Sequence, residues 1–155
     1  MIITDKHPNI VLEKEGQYVH KGDISCTDGN LLILLSGSLE VCGNISSKES
    51  IFANCDLRAS HTIDTGKDIC VTGSLHAEGR IDADGNIYAG KSIYASCGVY
   101  AGHDIISGEG ISSAWEIEAE RVCSGGDVKA SEPISHTIKF DTLGEVSHSL
   151  GYFAD

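Results

Sequence analysis

Aliphatic residues recur every six positions through most of this chain, and a small or β-branched residue follows each of them two positions later. Counted in steps of six, the aliphatic positions are Leu39, Ile45, Ile51, Leu57, Ile63, Ile69, Leu75, Ile81, Ile87, Ile93, Val99, Ile105, Ile111, Ile117 and Cys123. The positions two residues later are Val41, Ser47, Ala53, Ala59, Thr65, Val71, Ala77, Ala83, Ala89, Ala95, Ala101, Ser107, Ser113, Ala119 and Gly125. Because alternate side chains of a strand point to the same side, each pair predicts a three-residue strand with both ends facing inward.

The other three positions of each hexapeptide are rich in glycine and predict a corner between consecutive strands. Glycine adopts positive φ without steric cost, so we expect the corner glycines to use that conformation. A helix does not fit, because a six-residue period does not match about 3.6 residues per turn. A strand and a corner every six residues predict an all-β, three-sided β-solenoid, or β-helix, with about five coils of roughly 18 residues each.

The period divides the chain into three segments. Residues 33–128 are predicted to form the hexapeptide-repeat β-solenoid, with Ile33 and Leu35 already in register and Cys123 in an inward aliphatic position. Residues 1–32 lack the period and predict an N-terminal cap. Residues 129–155 contain Pro133 and several apolar residues, and they predict a C-terminal capping segment, because uncovered ends of stacked strands invite aggregation.

The order of residues inside the hexapeptide resembles that of one class of hexapeptide-repeat β-helix proteins. In Ile87-Tyr88-Ala89 and Ile93-Tyr94-Ala95 the small residue comes two positions after the aliphatic residue. The left-handed hexapeptide acyltransferases carry it two positions before. The repeat is therefore most similar to that of bactofilin-like, polymer-forming proteins. This resemblance covers about residues 33–128 and implies a right-handed, triangular β-helix of bacterial type.

Stacking at a spacing of about 18 residues assigns the outward residues to three faces, one apolar, one acidic and one mixed. The fold does not require these outward residues, so some of them are candidates for contacts with a partner. The candidates are Phe52, Tyr88 and Ile106 on the apolar face, and Asp64, Asp82, Asp84, Glu116, Glu118 and Glu120 on the acidic face. The alternatives are a terminal segment that covers the apolar face, and a plain solvated surface for the acidic face.

Charge and targeting signals narrow the classes of partner. The chain has 23 acidic and 11 basic residues and a net charge of −12, which disfavours nucleic acid and anionic membranes and favours a basic protein. Residues 1–8 contain no basic region followed by a long apolar stretch, so no signal peptide is predicted. The six cysteines form no Cys-x-x-Cys pair, so we expect free thiols in a cytoplasmic protein.

No spacing of residues predicts catalysis, a metal site or a cofactor. His61 and Cys97 are expected on one corner two coils apart, about 10 Å from each other, which is too far for a catalytic pair. The leading hypothesis is a non-catalytic, protein-binding solenoid, for example an immunity or inhibitor protein that masks a basic toxin or nuclease. The alternatives are a bactofilin-like structural protein that self-assembles, and a hexapeptide-type acyltransferase that uses His76 or His103.

Overall fold

The computed structural model describes residues 1–131 and 139–148, and in these ranges the chain is all-β and contains no helix. Its strands stack into three sheets of eight, nine and six strands, here called A, B and C, which form about seven turns of a β-solenoid. From β3 to β21, successive strands visit sheets B, C and A in rotation. The predicted fold class is therefore confirmed.

The three sheets have the following strands in spatial order. Sheet A contains β1 (Ile2–Thr4), β5 (Leu31–Leu34), β8 (Ile51–Ala53), β11 (Ile69–Val71), β14 (Ile87–Ala89), β17 (Asp104–Ser107), β20 (Arg121–Ser124) and β22 (Lys139–Thr142). Sheet B contains β2 (Ile10–Lys14), β3 (Gln17–His20), β6 (Ser38–Val41), β9 (Leu57–Ala59), β12 (Leu75–Ala77), β15 (Ile93–Ala95), β18 (Ile111–Ser113), β21 (Val128–Ala130) and β23 (Val146–His148). Sheet C contains β4 (Ile24–Cys26), β7 (Ile45–Ser47), β10 (Ile63–Thr65), β13 (Ile81–Ala83), β16 (Val99–Ala101) and β19 (Ile117–Glu118). The described pairs are parallel except for β2 and β3, which are antiparallel.

The inward residues of the triplets build one continuous core. Ile69, Ile87 and Ile105 lie side by side in successive strands of sheet A, and all three are fully buried. The small residues pack beside them in the same way, as Ala77 and Ala95 do in sheet B. Burial of one aliphatic side chain contributes about 1.5–3 kcal/mol. A long ladder of such residues therefore forms a core without large aromatic side chains.

Serine at the small position satisfies its hydroxyl group at a corner. Ser107 Oγ donates to the carbonyl oxygen of Lys91 at 2.5 Å, and it also lies 3.1 Å from the carbonyl oxygen of Gly110. Ser124 Oγ donates to the carbonyl oxygen of Glu109 at 2.6 Å. A buried hydroxyl group is costly only when it lacks a partner, so serine can replace alanine at these inward positions.

The N-terminal residues contribute strands to the stack, which explains why the solenoid has about seven turns and not the predicted five or so. Ile24 pairs with Ile45, 21 residues later, and Leu31 pairs with Ile51, 20 residues later. These first coils are longer than the regular ones, so the six-residue period does not reveal them. Ile33 consequently occupies the small position of its strand, two residues away from the register predicted for it.

A shortened coil changes the register after β19. Ile105 pairs with Val122, only 17 residues later. The missing residue lies at the corner between Glu118, which ends β19, and Arg121, which begins β20. A shift by one residue exchanges inward and outward side chains. Val122 is fully buried and Cys123 is partly exposed, so the prediction that Cys123 faces inward is wrong.

The corner glycines of the regular coils serve close packing and not positive φ. Within the described residues, the glycines with positive φ are Gly16, Gly22 and Gly29, all before the regular hexapeptides. A Cβ atom on Gly90 would overlap the carbonyl oxygen of Thr72 in the preceding coil. The expectation of positive φ at the hexapeptide corners is therefore wrong, and the tight stacking of the backbone is the physical reason for glycine there.

Polar side chains at the corner before sheet A bind the backbone of the next coil. In each contact a side-chain oxygen accepts from the backbone N–H of a residue in the next coil. The contacts are Asn30 Oδ1 from Ser50 (3.0 Å), Ser50 Oγ from Asp68 (3.3 Å), Asp68 Oδ1 from Asn86 (2.8 Å) and Asn86 Oδ1 from Asp104 (3.2 Å). This ladder ties consecutive coils together. It also fixes the carboxylate of Asp68 at one border of sheet A.

Candidate protein-binding surfaces

The outward residues of sheet A form an unbroken column that is almost entirely apolar. Strand pairing places them in the order Ile2, Leu32, Phe52, Cys70, Tyr88, Ile106 and Cys123. The predicted candidates Phe52, Tyr88 and Ile106 therefore share one face, as expected. Sequence reasoning missed Leu32 and Leu34 because it placed the first in the N-terminal cap. The alternation of inward and outward residues along β5 was the signal that could have found both.

A shallow groove of about 310 Å³ lies on this face. Its main lining residues are Leu32, Leu34, Phe52, Cys70 and Tyr88. Two of them are well exposed, with 45% of Leu34 and 40% of Phe52 accessible to solvent. The candidate Ile106 lies one strand beyond Tyr88 and does not line the groove.

The described residues leave this groove open. At the N-terminus, β1 extends sheet A by pairing with β5, so it continues the sheet and does not lie over it. The predicted C-terminal capping segment falls partly on residues 132–138 and 149–155, which lie outside the described residues. The alternative of an N-terminal segment covering the apolar face therefore finds no support.

The polar atoms in the groove are uncharged at neutral pH. Burial, followed by the charge of Asp68, raises the pKa of the Cys70 thiol. Burial also raises the pKa of the Tyr88 hydroxyl group, with smaller effects from Asp104 and Asp68. The groove thus offers an apolar surface bordered by the carboxylate of Asp68 and by the Asp104–Arg121 ion pair.

Sheet C carries the acidic column that the sequence predicts. Asp64 pairs with Asp82, which is followed by Tyr100 and Glu118 in the next two strands. Arg80, which the sequence reasoning did not include, reaches onto this face. Its Nη2 lies 3.5 Å from Asp64 Oδ2 and 3.4 Å from Asp82 Oδ2. One guanidinium group therefore offsets part of the negative charge of the column.

The surroundings of Asp82 disfavour the ionised form of its carboxylate in spite of the nearby Arg80. Burial raises its pKa, and the charges of Asp64 and Asp84 raise it further, while Arg80 acts in the opposite direction. The folded protein therefore holds this negative charge at a cost. A positively charged group from outside would reduce that cost.

Tyr100 lies in the acidic column of sheet C and contacts Glu116 at the edge of this face. Its hydroxyl group donates to Glu116 Oε1 at 2.6 Å. Burial and then this hydrogen bond raise the pKa of Tyr100 to about 12. A second open groove, of about 370 Å³, runs past the ring, and its main lining residues are Arg80, Asp82, Asp84, Tyr100 and Glu118.

Glu120 is displaced from the place that the regular repeat predicts for it. Its backbone N–H donates to the carbonyl oxygen of His103 at 2.8 Å, and its Oε2 lies 3.4 Å from His103 Nδ1. In a regular coil this residue would follow Asp84 and Gly102 along the corner. The shortened coil moves it to the column of His103, whose imidazole ring it contacts.

Sheet B has a mixed face whose charged groups satisfy one another. Glu78 Oε1 accepts from Arg58 Nη2 at 2.6 Å and lies 3.1 Å from His76 Nε2. The hydrogen bond with His76, followed by that from Arg58, lowers the pKa of Glu78. The rings of His76 and Tyr94 lie 4.6 Å apart. This face is therefore paired internally, whereas the carboxylates of sheet C outnumber the contacting Arg80 and the groove of sheet A is apolar.

An exposed edge strand stands at the N-terminal end of sheet B. β2 pairs with β3 on one side, and within the described residues no strand pairs with its other side. Its side chains Val11 and Leu12 are 51% and 57% exposed. Such an edge offers unpaired backbone groups to another strand.

The remaining sequence-based candidates for chemistry are scattered. His61 and Cys97 lie on one corner with Gly79 between them, two coils apart as predicted. In the described ranges no group of three or more histidine, cysteine, aspartate or glutamate residues could hold a metal ion. All six cysteines are free. No helix in the described part of the chain is long and apolar enough to cross a membrane.

Comparisons with known proteins do not assign this chain to a family. No family model, no curated protein and no solved structure matches it. Its function is therefore argued from the geometry and the charge of its faces.

Proposed function

We propose that this solenoid is a non-catalytic protein-binding module whose partner is a basic protein. The acidic face of sheet C is the observation that carries the proposal. It holds Asp64, Asp82 and Glu118 in one column, with Arg80 as the cation that contacts it. Since the whole chain has a net charge of −12, long-range attraction also favours a positively charged partner.

The two unusual faces have separate roles in this proposal. The carboxylates of sheet C attract and orient the partner, because complementary charge mainly raises the rate of association. The apolar residues of sheet A supply contact energy, because buried aromatic residues dominate the energetics of most interfaces. The solenoid holds both sets at fixed spacing and needs no rearrangement to present them.

An immunity or inhibitor protein in the bacterial cytoplasm is the concrete form that we favour. In sheet C, Asp64 and Asp82 lie one strand spacing apart, about 4.8 Å, and Glu118 lies two strands beyond Asp82 on the same rigid surface. A basic toxin or nuclease binds an array of phosphate charges. A column of carboxylates held at fixed positions can occupy the same cationic surface and mask it.

Self-assembly into a bactofilin-like structural protein is the alternative, and one observation favours it. The outer edge of β2 is exposed at one end of sheet B, and β23 lies at the other end of the same sheet. Strand edges at opposite ends of one sheet can pair head to tail and form filaments. The net negative charge of each copy opposes this assembly.

Charge reversal on sheet C tests the proposed function. Asp84 and Glu118 are exposed, so Asp84→Lys with Glu118→Lys changes the charge of this face by four units and leaves the core intact. The matched control is Glu13→Lys with Glu15→Lys, an equal change on the exposed N-terminal hairpin.

A pull-down from the native host supplies the partner for kinetic measurements with these variants. We expect the sheet C variant to associate at least tenfold more slowly and with weaker salt dependence, and the control to change much less. Recovery of no basic partner, or equal effects of the two charge reversals, would contradict the proposal.

A further inference from the structure

The groove on sheet A contains a slot of the width of one flat side chain. Phe52, Cys70 and Tyr88 are direct neighbours in three successive strands. With about 4.8 Å between strands, the two aromatic residues stand about 9.6 Å apart, and the small Cys70 forms the floor between them. Aromatic rings pack favourably at centroid distances of about 4.5–7 Å. A ring that enters above Cys70 can therefore contact both walls.

The border of the slot is negatively charged. Asp68 lies two residues before Cys70, and its Oδ1 accepts from the backbone N–H and Nδ2 of Asn86 at 2.8 and 3.0 Å. Among the described residues no cation forms an ion pair with Asp68, and the neighbouring Lys67 is paired with Glu49 at 3.4 Å. A lysine or arginine beside an inserted ring would meet this carboxylate.

The described C-terminal strands lie away from the slot. The strand β11, which carries Cys70, is four strand steps, or about 19 Å, from β22 at the end of sheet A. These described strands therefore continue the sheet and do not cover the slot.

A second copy of the chain is a poor occupant. Each copy carries a net charge of −12, so two faces bordered by carboxylates repel each other. A basic protein has the opposite charge and meets the acidic border favourably. Charge complementarity therefore selects the occupant.

We propose that the slot between Phe52 and Tyr88 receives one aromatic side chain of a basic partner protein, with an adjacent lysine or arginine facing Asp68. This inference rests on the proposed function and adds the place where the partner is anchored. The acidic face of sheet C attracts the partner, and the slot on sheet A fixes it. Ile106, one strand beyond the slot, is then a peripheral contact.

Titration with short peptides tests this proposal directly. The probe is acetyl-Lys-Lys-Trp-Lys-Lys-amide, and the control peptide has alanine in place of tryptophan. Backbone amide NMR signals of the isotopically labelled full chain report where each peptide binds. We expect shifts centred on Phe52, Cys70 and Tyr88, and an affinity at least fivefold higher for the tryptophan peptide.

Two variants test the contributions of the slot and of its charged border separately. Cys70→Leu fills the floor and should lower the affinity for the tryptophan peptide at least fivefold, while Ser112→Leu, a matched outward change on sheet B, should not. Asp68→Asn keeps the oxygen that accepts from Asn86, and it should weaken binding about two- to threefold and flatten its salt dependence. The melting temperature of each variant shows whether it is folded.

The outcomes distinguish this inference from the proposed function. Equal affinities for the two peptides, or shifts confined to sheet C, would overturn the slot and leave a basic partner on the acidic face. A particle mass that grows with concentration in the wild type but not in Cys70→Leu would overturn it in favour of a second copy. Binding by neither peptide would overturn the slot. The charge-reversal experiment with the recovered partner would then test the proposed function separately.

Discussion

Sheets A and C are built on the same inward residues and differ in what they present to solvent. In sheet A, Ile69 and Ile87 are buried behind Cys70 and Tyr88; in sheet C, Ile63 and Ile81 are equally buried behind Asp64 and Asp82. One outer face is therefore an apolar groove and the other an acidic column, although the strands behind them are alike. Stacking of the coils determines the inward residues of each strand and leaves the outward residues free to differ.

Sheet B sharpens the comparison, because its outward residues neutralise one another. Arg58, His76 and Glu78 form a paired cluster there. The groove of sheet A has no such pairing among its described residues, and the acids of sheet C share Arg80. We therefore place binding on the apolar groove of sheet A and on sheet C, whose carboxylates outnumber the contacting Arg80.

The largest expected effect comes from breaking the core that the faces share. Ile87 is fully buried between Ile69 and Ile105, and Ile87→Asp would place a charge there without a partner. We expect the free energy of unfolding to fall by more than about 4 kcal/mol. Denaturant titration measures it, with the outward change Ser112→Asp as the control. A melting temperature close to that of the wild type would show that the inward assignment is wrong.

Two neighbouring residues in β8 allow a core position to be compared with a position on the open face. Ile51 is fully buried, so Ile51→Ala should lower the free energy of unfolding by about 2–5 kcal/mol. Phe52, the next residue, is 40% exposed, and Phe52→Ala should cost less than about 1 kcal/mol. The two variants are compared in the same denaturant titration. A loss of similar size in both would mean that something covers the groove.

The corner glycines after sheets A and C should both tolerate an added side chain poorly, because each packs against the backbone of the preceding coil. A Cβ atom on Gly90, after sheet A, would overlap the carbonyl oxygen of Thr72, and one on Gly102, after sheet C, would overlap that of Asp84. Each change to alanine should lower the free energy of unfolding by about 1–3 kcal/mol. Gly110→Ala is the control, because its nearest contact would be 3.2 Å away. Equal effects at all three positions would refute the close-packing explanation.

The smallest expected effect concerns the charge of Asp82. Its pKa is raised in the folded protein by burial and neighbouring acids, so its ionised form destabilises the fold at neutral pH. Asp82→Asn should therefore raise the free energy of unfolding by less than about 1 kcal/mol at pH 7. The gain should shrink as the pH falls toward the ordinary aspartate pKa and vanish below about pH 3, where aspartate is protonated in both states. Denaturant titrations at the two pH values measure it, and a loss of stability at pH 7 would show that Arg80 dominates.

The six-residue period predicted the strands, the inward residues and the column order of the outward candidates from Phe52 to Ile106. It did not predict the shift at Cys123, because a fixed step of six from Leu39 does not allow for a missing residue, although Val122-Cys123-Ser124 and Val128-Lys129-Ala130 resume the triplet in the new register. It also missed the coils before Leu39, whose extra residues hide the period. The contact of Arg80 with two carboxylates depends on the direction of a long side chain, which a periodic pattern does not record.

The particle mass over a wide range of protein concentrations tests the central claim, that the outer faces bind another protein and not further copies of this one. Light scattering on the purified full chain at physiological salt measures it. We expect one discrete species whose mass does not change with concentration. A mass that grows with concentration, with filaments visible by electron microscopy, would contradict binding of a different protein and support self-assembly through the ends of sheet B.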